Sequence, residues 1–384
     1  MRLGLFLSVV LLIPFTASTA SSTAFDQIAR QADVARAADR INEAERLYRE
    51  GVRLQPAWKE GWWSLGSMLY DEDRFPEAEA AFKRFISLTP KPGPGYAFDA
   101  LCEYETGEYD HALQHFRSWA SAGWPGTPKL IDVGVFHFAL LLTREGRFVE
   151  ALYMLSTEVS KLGDKPELSE AMGLASLRIP KLPEEYPAQQ REMVWLAGEA
   201  AAHAAQSPPE FPQADEYAKR LLSHDGDQPN VHYFVGTLFT FENRQPEAEH
   251  EFRDELRLSP KYVPAMLALV SIDLDSNRLP EAESFAQQAT ELEPANAEAH
   301  HALGRVLLAS GKVDESIHEL ETARRLAPDS ATIHSHLAMA YGRAGRTRDA
   351  QNEAKAFSAL SKSEGALVPP GTKTMANSAR GPSE

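Results

Sequence analysis

Alanine and proline recur along this chain at a constant step, from Ala248 to Ala282 and from Pro260 to Pro294 to Pro328. A step of roughly 34 residues with helical sequence between the marks is the period of a helix-turn-helix repeat. The first half keeps the same step at Ala44, Ala78 and Ala112, and at Pro56 and Pro90. Each unit of such an array packs only on its neighbours, so a length of 384 residues does not by itself imply two domains. The expected fold is all-α: an α-solenoid of stacked helical hairpins.

The copy from Glu60 to Pro90 shows why the marks are what they are. Trp62, Leu65 and Leu69 recur at helical spacing and form the apolar stripe of a first helix. Gly66 and Ala78 are small where the two helices of a pair must approach closely. Phe82 and Phe85 turn the second helix's stripe back onto the first, and Pro90, with no amide hydrogen, ends it. Neither helix can bury its face alone. At these offsets the sequence resembles the tetratricopeptide repeat family, whose pattern is Trp, Leu-Gly, Tyr, Ala, Phe, Ala, Pro. Leu69 stands for the tyrosine and Phe85 for the later alanine. The resemblance covers residues 25–362 and implies a right-handed superhelix of about eight or nine hairpins.

Residues 1–20 read as a cleavable export signal: Arg2, an apolar run from Leu3 to Ile13, and a small-residue Ser18-x-Ala20 end. The run falls short of the ~20 residues that span a bilayer, so no stable membrane insertion is expected after cleavage, and the chain is expected to be periplasmic or secreted. Residues 25–163 form a first array of about four repeats. Register then fails: Met172-Gly173 matches a Leu-Gly pair, but Pro180, Pro183 and Pro187 follow, so 164–190 reads as a half repeat and proline-rich linker, a hinge or subdomain junction. Residues 191–362 form a second array of about five repeats. Its first copy is swollen by the insertion from Ser207 to Pro212, and its last carries the polar residues Asn352, Glu353 and Lys355 where a capping unit faces outward. Residues 365–384 are Gly/Pro/Ser-rich and read as a disordered tail.

The formal net charge of −16, with no basic stripe, argues against a nucleic-acid partner. Cys102 is the only cysteine, so no disulfide framework exists, and it reads as a buried apolar thiol. The chain contains no phosphate loop, no zinc-protease helix and no nucleophile elbow. His111 and His115 stand one helical turn apart, but a zinc site needs further ligands; no metal, cofactor or catalytic residue is expected.

In the resembling family, the concave groove is lined by first-helix side chains lying between the packing marks. Carried onto this sequence these are Trp63, Tyr70, Tyr104, Phe136, Tyr233, Phe241, His301, Arg305 and Arg343. An aromatic, weakly polar groove suits an extended peptide or an apolar helix, though the same rings would also serve to pack repeat on repeat. Chaperone-binding members clamp a C-terminal carboxylate with Lys and Asn; Ala29, Asp33, Trp63 and Ser67 stand there instead, so that partner class is not implied. The resemblance implies a non-enzymatic interaction scaffold of the bacterial envelope, of the kind that assists assembly of pili, secretion machines or outer-membrane complexes. Alternatives are an enzyme or enzyme accessory domain using Glu184, Glu185, Glu192 or Glu199 within 164–228, and a structural spacer.

Overall fold

The computed structural model describes residues 24–89, 91–163 and 165–364. The expected signal (1–20), the expected tail (365–384) and Pro90 lie outside the described residues. Among the described residues there are nineteen α-helices, one short 3-10 helix at Ala188–Gln190 and no strand. Two compact units form, one ending at Leu142 and the other starting at Thr143.

In the first unit α1 (Ala24–Ala37) pairs with α2 (Ile41–Leu54), α3 (Lys59–Asp71) with α4 (Phe75–Ser87), and α5 (Pro94–Glu105) with α6 (Tyr109–Ser121). Each pair leans on the next, α2 on α3 and α4 on α5. After them comes α7 (Pro128–Arg144), whose Gly134 lies against the Trp119 ring of α6.

The second unit holds α8 (Phe148–Leu162), α9 (Pro166–Ser176), α10 (Arg191–Ala205) and α11 (Phe211–Asp225), then α12 (Val231–Phe241) with α13 (Gln245–Leu258) and α14 (Val263–Asp275) with α15 (Leu279–Leu292). It ends with α16 (Ala297–Ala309) paired to α17 (Val313–Leu326), and α18 (Ala331–Arg343) paired to α19 (Thr347–Glu364). The stacked hairpins expected from the alanine and proline step are what forms.

The step has a backbone cause. The hairpins that keep the step turn on a residue with positive φ, at Asp39 (57°), Asp73 (58°) and Gly107 (82°), and again at Asn243 (60°), Asn277 (53°), Gly311 (77°) and Gly345 (74°). Asp, Asn and Gly are the residues that enter the left-handed region at least cost. A basic residue follows at most of these turns and ties consecutive hairpins by reaching back to an acid of the one before: Arg74 to Glu45 (2.9 Å), Arg244 to Asp215 (2.8 Å), Arg278 to Glu249 (2.9 Å) and Lys312 to Glu283 (2.6 Å). The Arg74 hydrogen bond holds the Glu45 carboxyl below its ordinary range, so the rung stays charged at neutral pH. Exposed pairs of this kind are worth ~0–1 kcal/mol each, so they set register more than stability. At the far end of the second helices, α13, α15 and α17 stop at Leu258, Leu292 and Leu326, two residues short of a proline that disfavours helical geometry in the residue before it.

Close approach explains the small marks. A β-carbon on Gly66 would lie 2.9 Å from Phe82, and one on Gly236 would lie 2.7 Å from Phe252 at the equivalent position. The first-helix tryptophan also makes a polar contact, with Trp62 Nε1 donating to the Pro56 carbonyl at 3.0 Å. In later copies histidine takes the place and reaches the same carbonyl, His300 Nε2 to Pro294 (3.0 Å) and His334 Nε2 to Pro328 (2.8 Å). Its second nitrogen meets a glutamate of the following helix, Glu319 for His300 (2.6 Å) and Glu353 for His334 (2.5 Å). Glu353 is therefore buried between His334 and Arg324, and the polar outer face of the last helix does not include it; Asn352 and Lys355 are exposed.

The proline-rich stretch does not leave α9 unpaired. Helix α9 packs tightly on α10, with Gly173 against the Val194 carbonyl and Gly198 against that of Ser169. The connection between them folds back on itself, with the Glu185 carboxylate accepting from the Leu182 amide at 2.9 Å and the Tyr186 hydroxyl donating to Glu170 at 2.5 Å.

Candidate functional site

The first-unit residues named for the groove sit in ring contacts. Trp63 on α3 has Phe85 at 5.2 Å, Phe98 at 5.4 Å and Phe82 at 5.8 Å between ring centres. Tyr70, two turns further along the helix, lies against Phe75 and Phe98, and burial pushes its hydroxyl pKa well up. Tyr104 on α5 stands edge-on to His137 (4.8 Å) and Tyr109 (5.6 Å), and Phe136 on α7 lies 5.4 Å from His137. All four are half-buried. The rings join α3 and α4 to α5, so they bind repeat to repeat as well as showing an edge to solvent.

In the second unit the first helices make one row, with α14 touching α16 and α16 touching α18. Tyr233 on α12 is fixed at both ends: its amide donates to Glu255 (3.2 Å), and its ring stands against Tyr262 (5.3 Å) and under the Arg178 guanidinium (5.7 Å). Glu255 also accepts from the Asn230 amide, so a carboxylate from α13 satisfies the N-terminal end of α12. Phe241 is 44 % exposed and rests against Phe211. His301 on α16 meets His336 on α18, Nε2 to Nδ1, at 3.0 Å. Arg305 is half-buried beside this pair, while Arg343 donates to the Leu308 carbonyl at 2.7 Å and so caps the end of α16.

The histidine pair has a pH consequence. Burial, then the His336 and Arg305 side chains, push His301 down to about 3, and burial lowers His336 as well. A histidine held neutral in the fold stabilises it fully above its unfolded value of ~6.5, and that contribution is lost as pH falls toward the folded value. Between pH 7 and pH 5 the loss is expected to be on the order of 2 kcal/mol. Urea midpoints of wild type and His301→Gln at the two pH values check this. The variant should lose distinctly less stability than the wild type on acidification.

Other members of this row carry no mark in the family pattern. Arg178 lies in the irregular segment, where no register assigns it, yet it covers Phe148 (4.9 Å) as well as Tyr233. Thr237, Ser271, Arg305 and Met339 hold one repeat position in successive copies; all but Arg305 are exposed, Met339 at 51 %. Comparing that one position across copies is the signal that finds Met339.

Two family models match the sequence: a tetratricopeptide repeat model over residues 29–97, and the middle TPR-like domain of cilia and flagella-associated protein 70 over residues 188–361. No match is found among curated protein sequences. Solved structures similar to this chain include MamA from Desulfovibrio magneticus RS-1, at 19 % identity over 46 % of this chain and 96 % of that one, TM-score 0.38. MamA AMB-1 matches at 22 % over 46 % and 97 %, TM-score 0.36, and Pseudomonas aeruginosa pilF at 16 % over 45 % and 78 %, TM-score 0.41. Helical hairpins turning at a constant step on Asp, Asn or Gly, together with a repeat model in each half of the chain, make it a member of the tetratricopeptide repeat family.

Proposed function

We propose that this chain is a non-enzymatic docking scaffold that holds another polypeptide, as an extended segment or a helix, along the first helices of its repeats. What supports the reading is the row in the second unit that runs through Thr237, Ser271, Arg305 and Met339, flanked by Tyr233, Phe241 and His301. Aromatic residues, Met and Arg are the side chains most enriched at the cores of protein interfaces. Arg305 and Met339 are of this kind, and with Thr237 and Ser271 at the same position of the preceding copies they offer a partner a contact at four successive repeats. The export pattern at residues 1–20 supports work in the bacterial envelope, in the assembly of a pilus, secretion or outer-membrane complex. The net charge of −16 supports a protein partner over a nucleic acid.

Capture from bacterial envelope extract with wild type and with Arg305→Glu/Met339→Glu tests the reading. Both positions are at least partly solvent-facing, so the double variant should keep its helicity while recovering about tenfold less of the co-purifying polypeptide, as loss of two interface anchors predicts. Equal recovery from both would show that this row is not the docking face.

A further inference from the structure

The third hairpin breaks the repeat pattern at three places at once. Where α3 and α4 carry Leu65, Leu69 and Ala81, the equivalent positions of α5 and α6 carry Asp99, Glu103 and His115. These are seam positions. Asp99 and Glu103 are both 0 % exposed, and among the described residues neither oxygen of Asp99, nor Oε1 of Glu103, accepts a hydrogen bond. By contrast, Asp273 is answered at Oδ1 by Arg278 at 2.7 Å, and both oxygens of Glu255 accept from backbone amides. A carboxylate taken from water without a partner is strongly disfavoured, and such groups are paired or bind a metal.

We propose that Asp99, Glu103 and His115 form a binding site for a divalent first-row metal ion of the zinc class, which staples α5 to α6. His115 Nδ1 lies 2.8 Å from Glu103 Oε2 and 3.3 Å from Asp99 Oδ2, and one ligand atom from each residue falls within 4.8 Å of the others. Ligands held about 2.0–2.2 Å from one tetrahedral zinc ion stand roughly 3.3–3.6 Å from each other, so side-chain shifts of under about 1 Å admit the ion. One imidazole with two carboxylates is a mixed nitrogen and oxygen set, which favours zinc and its neighbours over magnesium or calcium. The His115 side chain is 27 % exposed, giving the ion a way in and leaving a coordination position for water.

Lys83 is the competitor. Its ammonium lies 3.3 Å from Glu103 Oε1, with Glu79 as its other partner, and its side chain is 45 % exposed and free to withdraw. It faces Glu103, while Asp99 has only His115 Nδ1, 3.3 Å from Oδ2. Removing it should therefore strengthen metal binding, whereas in a plain ion-pair network its removal would gain nothing.

Titration calorimetry and thermal melts of the EDTA-stripped full chain with Zn²⁺, and separately with Mg²⁺, provide the test. The wild type should take up one Zn²⁺ per chain with a raised Tm and give no response to Mg²⁺. Asp99→Leu/Glu103→Leu/His115→Ala restores the residues of the preceding hairpin and should fold without responding to Zn²⁺. His115→Ala alone should weaken binding by about tenfold or more, His111→Ala should leave it unchanged, and Lys83→Met should tighten it. Absence of any Zn²⁺ response in the wild type would overturn the proposal. So would equal binding by wild type and triple variant, which would place the ion on other histidines.

Discussion

Gly198→Ala should cost the second unit about 3 kcal/mol or more of stability, although it adds a single methyl group. The new β-carbon would lie 1.8 Å from the Ser169 carbonyl oxygen and 2.5 Å from its carbon, and both are backbone atoms that no rotamer change can move aside. The reciprocal contact is as tight, since a β-carbon on Gly173 would lie 1.9 Å from the Val194 oxygen. Helices α9 and α10, which cross at these two glycines, would have to separate. The same substitution at Gly342, where a β-carbon meets nothing within 4 Å inside α18, should stabilise by up to ~1 kcal/mol. Urea unfolding of the two variants beside wild type gives the comparison. Two changes of equal sign would show that α9 and α10 do not cross on their glycines.

Trp119→Ala should be comparably damaging in the first unit, at about 3–5 kcal/mol. The indole is fully buried, stands 5.0 Å from the Trp124 ring and lies over Gly134 of α7, while its Nε1 donates to the Pro125 carbonyl at 2.9 Å. Truncation removes the largest side chain holding α7 to α6 and leaves a void that the glycine opposite cannot fill. Trp119→Phe keeps most of the apolar area and loses the hydrogen bond, so about 1–2 kcal/mol is expected. Hydrogen exchange should report loss of protection over α6 and α7 in the alanine variant. Uniform loss over the whole chain would instead mean that the two units unfold as one.

The hairpins are legible in the sequence because their causes are local. A small residue where helices cross, a stripe at helical spacing and a proline after each second helix can all be read without knowing what lies across the gap. The α9–α10 pair is not legible, because Pro180, Pro183 and Pro187 stand where the step calls for a second helix, so the partner that meets Gly173 comes late and out of register. Glu353 misleads for a related reason. A carboxylate on a helix reads as a solvated face until a histidine on the preceding helix is seen to need it. The groove residues are named by offset from the packing marks. Trp63 is packed among the rings of α4 and α5 and His301, at the same position of α16, against His336, whereas Phe241 is left 44 % exposed, and an offset alone does not separate these cases. Asp99, Glu103 and His115 stand out in the sequence only when the third copy is set beside the second, as a departure from the columns they occupy.

The cationic rungs that tie four of the hairpins to the one before have a genetic corollary. Since donor and acceptor both belong to the recurring module, excising or duplicating one whole module rejoins every rung at the splice, and an edit a single residue longer or shorter breaks it. A chain built this way can change its reach by recombination in whole modules, without any new interface having to be invented.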